Sequence, residues 1–191
     1  APLRAVGPPA ADLLQPMPYT AAQQLLDAGN PPGMHNYWSG EFLTDLPDDA
    51  IESLVSHAQP APSPMTQITL IPGGGALARV ADDAMAFGQR QAPYNLHYLS
   101  IWPPDPTTDQ ANIDHTRRLV AAMKPWSTGS AYLNFIGNDE VGRVEAAFGP
   151  QKFARLQEIK RQWDPTNVFR HNQNIHPAPE SSEPAGAVPA V

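Results

Sequence analysis

The segment Tyr94–Trp102 constrains the fold most, because its alternation and its aromatic and apolar residues are typical of a β-strand. Successive side chains of a strand point to opposite faces of the sheet. The His97 face therefore carries Asn95, His97, Leu99 and Ile101, and the Tyr98 face carries Tyr94, Leu96, Tyr98, Ser100 and Trp102. Two neighbouring polar residues, Asn95 and His97, favour a site lining on the first face. A structural histidine with satisfied hydrogen bonds is the open alternative for His97.

Other patterns along the chain predict further strands and helices. Strands are expected at 34–43, 65–72, 76–80 and 130–135, with 76–80 as the hairpin partner of 65–72. Helices are expected at 20–28, 47–57, 107–123, 139–148 and 151–163, with Thr20 capping the first and Thr107 or Thr108 the third. The side chains expected to face inward are Leu25, Leu26, Ile51, Leu54, Val55, Ile113, Leu119, Val120, Met123, Phe153, Leu156, Ile159 and Trp163, whereas Lys152, Arg155, Lys160 and Arg161 are expected to face outward.

These elements together predict an α+β fold, an antiparallel sheet covered by helices. Four or five strands are visible in the sequence, so the sheet is expected to gain strands from an upstream segment or a partner chain. Because the first residue is alanine rather than methionine, we expect a processed chain or a fragment.

Charge and composition exclude several functions. A net charge of −7 argues against a nucleic-acid surface, which requires a basic patch. The absence of cysteine excludes disulfides, thiolate metal sites and a cysteine nucleophile. No apolar run approaches the roughly 18 residues of a membrane helix, and no signal peptide is visible. We therefore expect a soluble protein without a membrane partner, with the cytoplasm favoured as its location.

A polar segment near the C-terminus points to a ligand. Asp164 and Pro165 are expected to end the preceding helix in a turn over 164–167. Val168 and Phe169 are expected to anchor the chain by apolar burial, and five hydrogen-bonding side chains follow at 170–174. Because amides donate and accept, such a run suits the polar edge of a flat ligand. A surface loop with an apolar anchor is the competing interpretation.

Two other sequence patterns give weak support for a phosphate site and for a metal site. The glycines at 73–75 could hold a phosphate, but no established phosphate-loop pattern surrounds them and a strand is predicted to follow. His97, His171 and His176 could serve a metal-dependent hydrolase, but no carboxylate joins them at metal-ligand spacing. We therefore expect no metal site.

Three motifs in the C-terminal third resemble a known family. They are Ala131-Tyr132-Leu133-Asn134-Phe135, then Arg155-Leu156 with Lys160, then 163–169 followed by Asn172-Gln173-Asn174-Ile175. In this order they resemble the C-terminal part of berberine-bridge-enzyme-like FAD-linked oxidases. Upstream, residues 71–75, Ala86-Phe87 with Arg90, and the strand ending at Trp102 are similar to the substrate domain of that family. The resemblance covers roughly residues 17–177.

The resemblance implies roles for individual residues. Tyr132 matches the tyrosine that acts as catalytic base in many members, and His97 is the second candidate base. Asn95 stands at or near a glutamate of some members and, as an amide, would orient substrate. The other implied site residues are Asn134, Asn172, Gln173 and Arg170 toward the cofactor. Tyr37 and Tyr98 are expected to bind substrate, because aromatic side chains suit sugars or flat natural products. On residue type alone, Tyr132 is equally a half-buried strand tyrosine.

The implied activity is oxidation of an alcohol, sugar or natural product by hydride transfer to FAD, with dioxygen as acceptor. A phenol holds its proton at neutral pH, so Tyr132 needs a neighbouring positive or hydrogen-bonding group to act as base. Family members also carry an FAD-binding domain, and no position here matches its flavin-attachment motif. That domain is therefore expected from missing upstream sequence or a separate chain. The alternative is a non-catalytic ligand-binding module or subunit lacking its own flavin.

These inferences divide the chain into three parts. Residues 1–129 are expected to form part of a substrate-binding domain for a small molecule. Residues 130–177 form the berberine-bridge-like segment, which would pack on the FAD-binding domain. Residues 178–191 are expected to be a disordered tail, because they hold too few apolar side chains to pack.

Overall fold

The computed structural model describes residues 5, 7, 15–137 and 142–179 and divides the chain into units 1–33 and 34–191. In the first unit, the single helical turn α1 (Tyr19–Ala22) follows Pro18, and a 3-10 turn covers Asp27–Gly29. The predicted helix at 20–28 and its Thr20 cap are therefore wrong. Leu25 and Leu26 are exposed, so burial of these side chains does not stabilise a longer helix.

The second unit is built on a three-stranded antiparallel sheet with the order β1-β3-β2. Its strands are β1 (His35–Leu43), β2 (Gln67–Pro72) and β3 (Tyr94–Trp102). In the central strand, His97 lies opposite Gly40 on β1 and Thr69 on β2. The α+β class is thus confirmed, although the described residues hold three strands and not four or five.

Helices α2 (Asp48–Ala58) and α4 (Pro106–Met123) cover the Tyr98 face of the sheet. The buried cluster between them consists of Leu43, Ala50, Leu96, Tyr98, Leu119 and Met123. A hydrogen bond of 2.6 Å between Ser100 Oγ and Thr116 Oγ1 joins β3 to α4 within this layer. Ile51 and Val55 are exposed, because α2 turns Ala50 and Leu54 toward the sheet instead.

Two predicted strands take other conformations. The predicted strand 76–80 overlaps the single turn α3 (Gly75–Ala78), and β2 pairs instead with β3 along its length. Residues 130–135 end in a 3-10 turn at Leu133–Phe135. That segment leaves the edge of the sheet after Phe42 N donates to the Ser130 carbonyl at 3.0 Å.

The start of α4 depends on Asp105 and not on a threonine. Its carboxylate accepts hydrogen bonds from Thr107 N at 3.0 Å and from Thr107 Oγ1 at 2.7 Å. Pro106 takes the first helical position, where its missing N–H costs no hydrogen bond. The predicted threonine cap is therefore wrong by two or three positions.

Two helices, α5 (Arg143–Phe148) and α6 (Pro150–Trp163), complete the unit. Residues 139–141 of the predicted helix 139–148 and residues 180–191 of the predicted tail lie outside the described part. No described helix combines the length and apolarity needed to cross a membrane.

The sides of α6 differ from the predicted ones. Ile159 and Trp163 are exposed although they were expected to face inward. Lys152 and Lys160 are mostly buried, because each ammonium group reaches a carboxylate and a backbone carbonyl. Charge pairing therefore turns two of the four predicted outward-facing side chains of α6 toward the protein.

Asp109 connects the first turn of α4 with β1 and β3. Its Oδ1 atom lies 2.9 Å from His35 Nδ1 and accepts a hydrogen bond from Trp102 Nε1 at 2.6 Å. The hydrogen bonds from His35 and Trp102 lower the pKa of Asp109 from its ordinary value of 3.8. A carboxyl group with a lowered folded-state pKa stabilises the fold above its unfolded-state pKa, and this contribution disappears as pH falls through the folded-state value.

We expect Asp109→Asn to lower the free energy of unfolding at pH 7 and to flatten its decline below about pH 4. Urea denaturation of the two proteins across the acid range measures both effects. Asp83→Asn removes an exposed loop carboxylate and is the matched control. Equal pH slopes for Asp109→Asn and the unmodified protein would contradict the assignment.

Candidate active site

The segment 131–137 covers part of the His97 face with aromatic rings. The Phe135 ring stacks on the His97 imidazole, with centroids 4.0 Å apart and planes within 8°. Trp38 meets the same imidazole edge-on at 5.5 Å. Gly40 allows Phe135 to lie this close to β1, because a Cβ at position 40 would be only 3.1 Å from the Phe135 Cβ. His97 and Asn95 are consequently only 7% and 8% exposed.

Tyr132 lies beside this stack. Its ring makes edge-to-face contacts with Phe135 at 5.1 Å and with Phe87 at 5.7 Å. Asn134 Nδ2 donates a hydrogen bond of 2.8 Å to the phenolic oxygen. A donor aimed at that oxygen favours negative charge on it. The two residues predicted to share a strand face therefore meet through a 3-10 turn.

A cavity of about 300 Å³ opens next to Tyr132. Its lining consists of Phe42, Phe87, Gly88, Ala131, Tyr132, Leu133, Asn134, Ala147 and Phe148. Tyr132 and Asn134 supply the polar side chains, and the remaining walls are apolar or backbone. Such a cavity fits a small or flat molecule that has one polar end.

On the His97 face of β3, two buried polar atoms have no hydrogen-bond partner among the described residues. They are Asn95 Oδ1 and His97 Nε2. Burial lowers the pKa of His97, so its imidazole is neutral at pH 7. Because buried polar atoms are normally paired, these two are available to a group outside this part of the chain.

Tyr37 and Tyr98, the predicted substrate-binding tyrosines, lie on the opposite face of the sheet from His97. Both project from the helix-covered face, since Tyr37 is opposite Ser100 in the register. The Arg117 guanidinium of α4 lies 5.5 Å from the Tyr37 ring centroid. Tyr98 is 1% exposed in the core, and its pKa is raised by burial and by the charge of Glu41.

The turn after α6 is anchored differently from the prediction. Val168 and Phe169 are 64% and 80% exposed, so they do not anchor the chain by apolar burial. Instead the buried Asp164 carboxylate accepts hydrogen bonds from Val168 N at 2.8 Å and Phe169 N at 3.0 Å. A carboxylate that accepts two backbone amides fixes the turn by polar contacts.

The five hydrogen-bonding side chains at 170–174, here called the amide run, lie partly against the segment 131–137. Gln173 Nε2 is 3.4 Å from the carbonyl oxygens of Ile136 and Gly137. Asn172 has a left-handed backbone (φ +60°), and Asn174 Oδ1 is buried without a partner among the described residues. Arg170 is exposed. The structure thus brings Gln173 toward the candidate site.

Sequence reasoning missed several residues that shape this site. Phe42, Phe87 and Phe135 supply most of the aromatic contacts around Tyr132 and His97. Gly40 inside a strand was an available signal, because a strand glycine marks close backbone approach. Lys160 was assigned to the solvent side and instead supports the turn that precedes the amide run.

A larger groove of about 510 Å³ shares Phe148 with the first cavity. Its rim carries Asp82, Asp83, Lys152 and Arg155. Lys152 Nζ already contacts Asp82 at 2.8 Å and the Phe87 carbonyl at 3.3 Å. The part of the chain that the structure describes contains no group of three His, Cys, Asp or Glu residues placed to hold a metal ion.

Comparison with known proteins adds a family signal in the same region. The family model described as berberine and berberine like matches residues 131–176. Residues 131–176 include Tyr132, Asn134 and the whole amide run.

Curated relatives extend the similarity over most of the chain. The uncharacterised FAD-linked oxidoreductase YvdP of Bacillus subtilis is 28% identical over 185 residues, which cover 93% of this chain and 40% of the relative. An FAD-linked oxidoreductase of Dictyostelium discoideum is 30% identical over 177 residues, which cover 90% of this chain and 37% of the relative. The chain thus spans about two fifths of the length of these relatives.

Solved structures support the fold. The wild-type BBE-like 1 protein of Physcomitrella patens superposes with a TM-score of 0.66 at 21% identity, over 76% of this chain and 32% of the other. At this identity the likeness concerns the fold alone.

Proposed function

We propose that the chain, which is similar to berberine-bridge-enzyme-like FAD-linked oxidoreductases, forms the substrate-side part of an oxidase. The substrate is a small-molecule alcohol, sugar or natural product, and dioxygen is the final acceptor. The hydrogen bond from Asn134 to Tyr132 at the polar end of the 300 Å³ cavity supports this proposal most. The substrate hydroxyl is placed at that polar end.

The described residues fit a flavin ring. Asn174 Oδ1 is a buried polar atom without a partner among the described residues, and the neighbouring Gln173 side chain carries a second amide. A flat heterocycle with donors and acceptors along its edge suits such atoms. Bound FAD supplies the acceptor for the hydride. Asn172, Gln173 and Arg170 are the further residues that would hold it.

The protein side of the reaction is a proton transfer. Tyr132, as phenolate, accepts the proton of the substrate hydroxyl, and Asn134 stabilises the phenolate through its amide donor. His97 remains neutral through burial and offers one ring nitrogen to the substrate or to the proton. Asn95, two residues along the same strand face, orients the substrate.

The FAD-binding domain is proposed to cover an exposed apolar surface at the end of α6. This surface consists of Ile159, Trp163, Val168 and Phe169, which are 43%, 76%, 64% and 80% exposed. Ile159 and Trp163 are one helical turn apart on α6, and large exposed apolar side chains are common at interaction sites. Since the chain spans about two fifths of its FAD-linked relatives, the remaining part of such a protein, or a separate chain, is the proposed occupant.

An absorbance spectrum of the protein purified from its native gene arrangement tests the function. We expect a flavin spectrum on the purified protein or complex that contains this chain. A protein without flavin, and without gain of flavin on addition of FAD, would contradict the oxidase. That result would favour a ligand-binding module lacking its own flavin.

We expect Asn172→Gly to raise the Kd of the complete protein for FAD by about 2- to 10-fold, the usual effect of losing one hydrogen bond. Glycine retains the left-handed backbone of residue 172, so the change removes the amide alone. Gln89→Gly is the matched control, because Gln89 also has a positive φ of 59° and lies outside residues 164–174. Fluorescence titration of the flavin-free proteins with FAD measures each Kd. Equal Kd values for Asn172→Gly and the control would contradict a contact between Asn172 and FAD.

A further inference from the structure

Lys160 has unusual surroundings for a lysine. Its side chain is 14% exposed, and its ammonium group contacts Asp164 Oδ2 at 2.5 Å and the Phe169 carbonyl at 2.6 Å. One cation therefore links the last turn of α6 with the far side of the turn that follows. Hydrogen bonds from a charged donor are shorter and stronger than neutral ones.

Asp164 completes this link. Its side chain is 10% exposed and accepts hydrogen bonds from the backbone amides of Val168 and Phe169. Its own backbone amide donates to the Lys160 carbonyl at 2.7 Å, and its carbonyl accepts from Asn167 N at 3.0 Å. Residues 164–169 are therefore held by polar contacts that meet at the Lys160–Asp164 pair.

Apolar packing does not replace these contacts. Val168 and Phe169 expose most of their side chains, and Pro165 and Thr166 are exposed as well. The course of the turn consequently depends on the pair, since little burial is available there to fix it. The chain continues directly from Phe169 into the amide run 170–174.

We propose that Lys160 is a positioning residue that, through Asp164, sets the direction of residues 170–174 and so places Asn172 and Gln173 toward FAD. The FAD contact rests on the proposed function, whereas the control of the turn rests on the geometry alone. Lys160 does not touch the cavity beside Tyr132. Its loss therefore affects cofactor binding and leaves the proton transfer intact.

The test compares Lys160→Met with Arg161→Met in the complete protein. Arg161 is the neighbouring cation on α6, but its partner is the exposed Glu158. We expect Lys160→Met to accelerate hydrogen exchange of the amides of 168–174 and to raise the Kd for FAD, each by about 10- to 100-fold. Arg161→Met should change neither quantity, and exchange in β3 and α4 should stay unchanged in both variants.

Two further measurements separate positioning from general damage. Lys160→Arg retains the charge and is expected to recover most of the FAD affinity. With Lys160→Met saturated by FAD, the rate constant of flavin reduction by substrate should equal that of the unmodified protein. A lowered rate at saturation would contradict a role limited to positioning.

The outcomes distinguish this inference from the function on which it rests. Unchanged exchange at 168–174 in Lys160→Met would overturn the inference and leave the oxidase standing. Faster exchange with unchanged FAD affinity would overturn the positioning role, because the turn would then not place a cofactor contact. An unmodified protein that never binds FAD would overturn the function and, with it, the role of Lys160 toward FAD.

Discussion

Tyr132→Phe is expected to lower the rate of flavin reduction by substrate by a factor of about 10² to 10⁴, the usual contribution of a general base. Phenylalanine keeps the edge-to-face contacts with Phe87 and Phe135 and removes the oxygen to which Asn134 donates. FAD affinity should therefore stay close to that of the unmodified protein. Anaerobic stopped-flow reduction of the bound flavin measures the rate directly.

The pH dependence of that rate identifies the base. The group that acts as base shapes the pH profile of this rate, so Tyr132→Phe is expected to change the profile. Tyr94→Phe removes a hydroxyl from the helix-covered face and is the matched control. A Tyr132→Phe protein with the full rate and the same pH profile would exclude Tyr132 as base. An unaltered profile with a lowered rate would favour His97.

Leu96→Ala is expected to cost about 2–5 kcal/mol of unfolding free energy, the range observed for leucine truncation in packed cores. Leu96 is 0% exposed in the central strand and packs in the cluster that joins the sheet to α2 and α4. The variant loses the transfer free energy of the removed atoms, and the cavity left behind adds a second cost.

Chemical denaturation of the complete protein measures this loss as a shift of the midpoint. Leu25→Ala, at a leucine that is 57% exposed, should shift the midpoint little. Equal shifts for the two substitutions would mean that the cluster around Leu96 is not the core of the second unit.

The sequence predicts the central part of the fold well, because strand alternation is a local property. The pattern of Tyr94–Trp102 places Asn95 and His97 on one face and Tyr98 on the other, as the structure does. Because the same alternation places Tyr98 and His97 on opposite faces of the sheet, it argues against one site that contains both residues. For Tyr37 the decision needs the register of β1 against β3, which depends on contacts between distant parts of the chain.

The errors arise where one segment meets another. Residues 130–135 have strand-forming side chains, but Phe135 packs against the sheet at Gly40. Gly40 is distant in sequence, so the residues around 130–135 do not reveal this contact. The apolar residues Ile159 and Trp163 have helical spacing, yet periodicity does not state what a face contacts. Lys160 was misplaced because a buried lysine requires its partners to be known.

The family resemblance is confirmed, since the matched segment 131–176 contains all three motifs that carry it. The curated relatives that the chain matches are FAD-linked oxidoreductases, which agrees with the expected FAD cofactor and oxidoreductase class of the family. The motifs identify the family, whereas periodicity predicts only local structure. The motifs include residues whose contacts lie far away in sequence, which periodicity does not detect. The substrate, dioxygen as acceptor and the roles of individual residues stay predictions.

The order β1-β3-β2 has a practical consequence. The outer edge of β2 has no strand partner within the described ranges, and Thr69 and Ile71 on this strand are exposed. Unpaired backbone N–H and C=O groups on an edge strand readily accept a strand from another molecule. Produced on its own, this chain should therefore aggregate by strand addition as its concentration rises. Yield and turbidity during purification would then report whether residues 67–72 are covered.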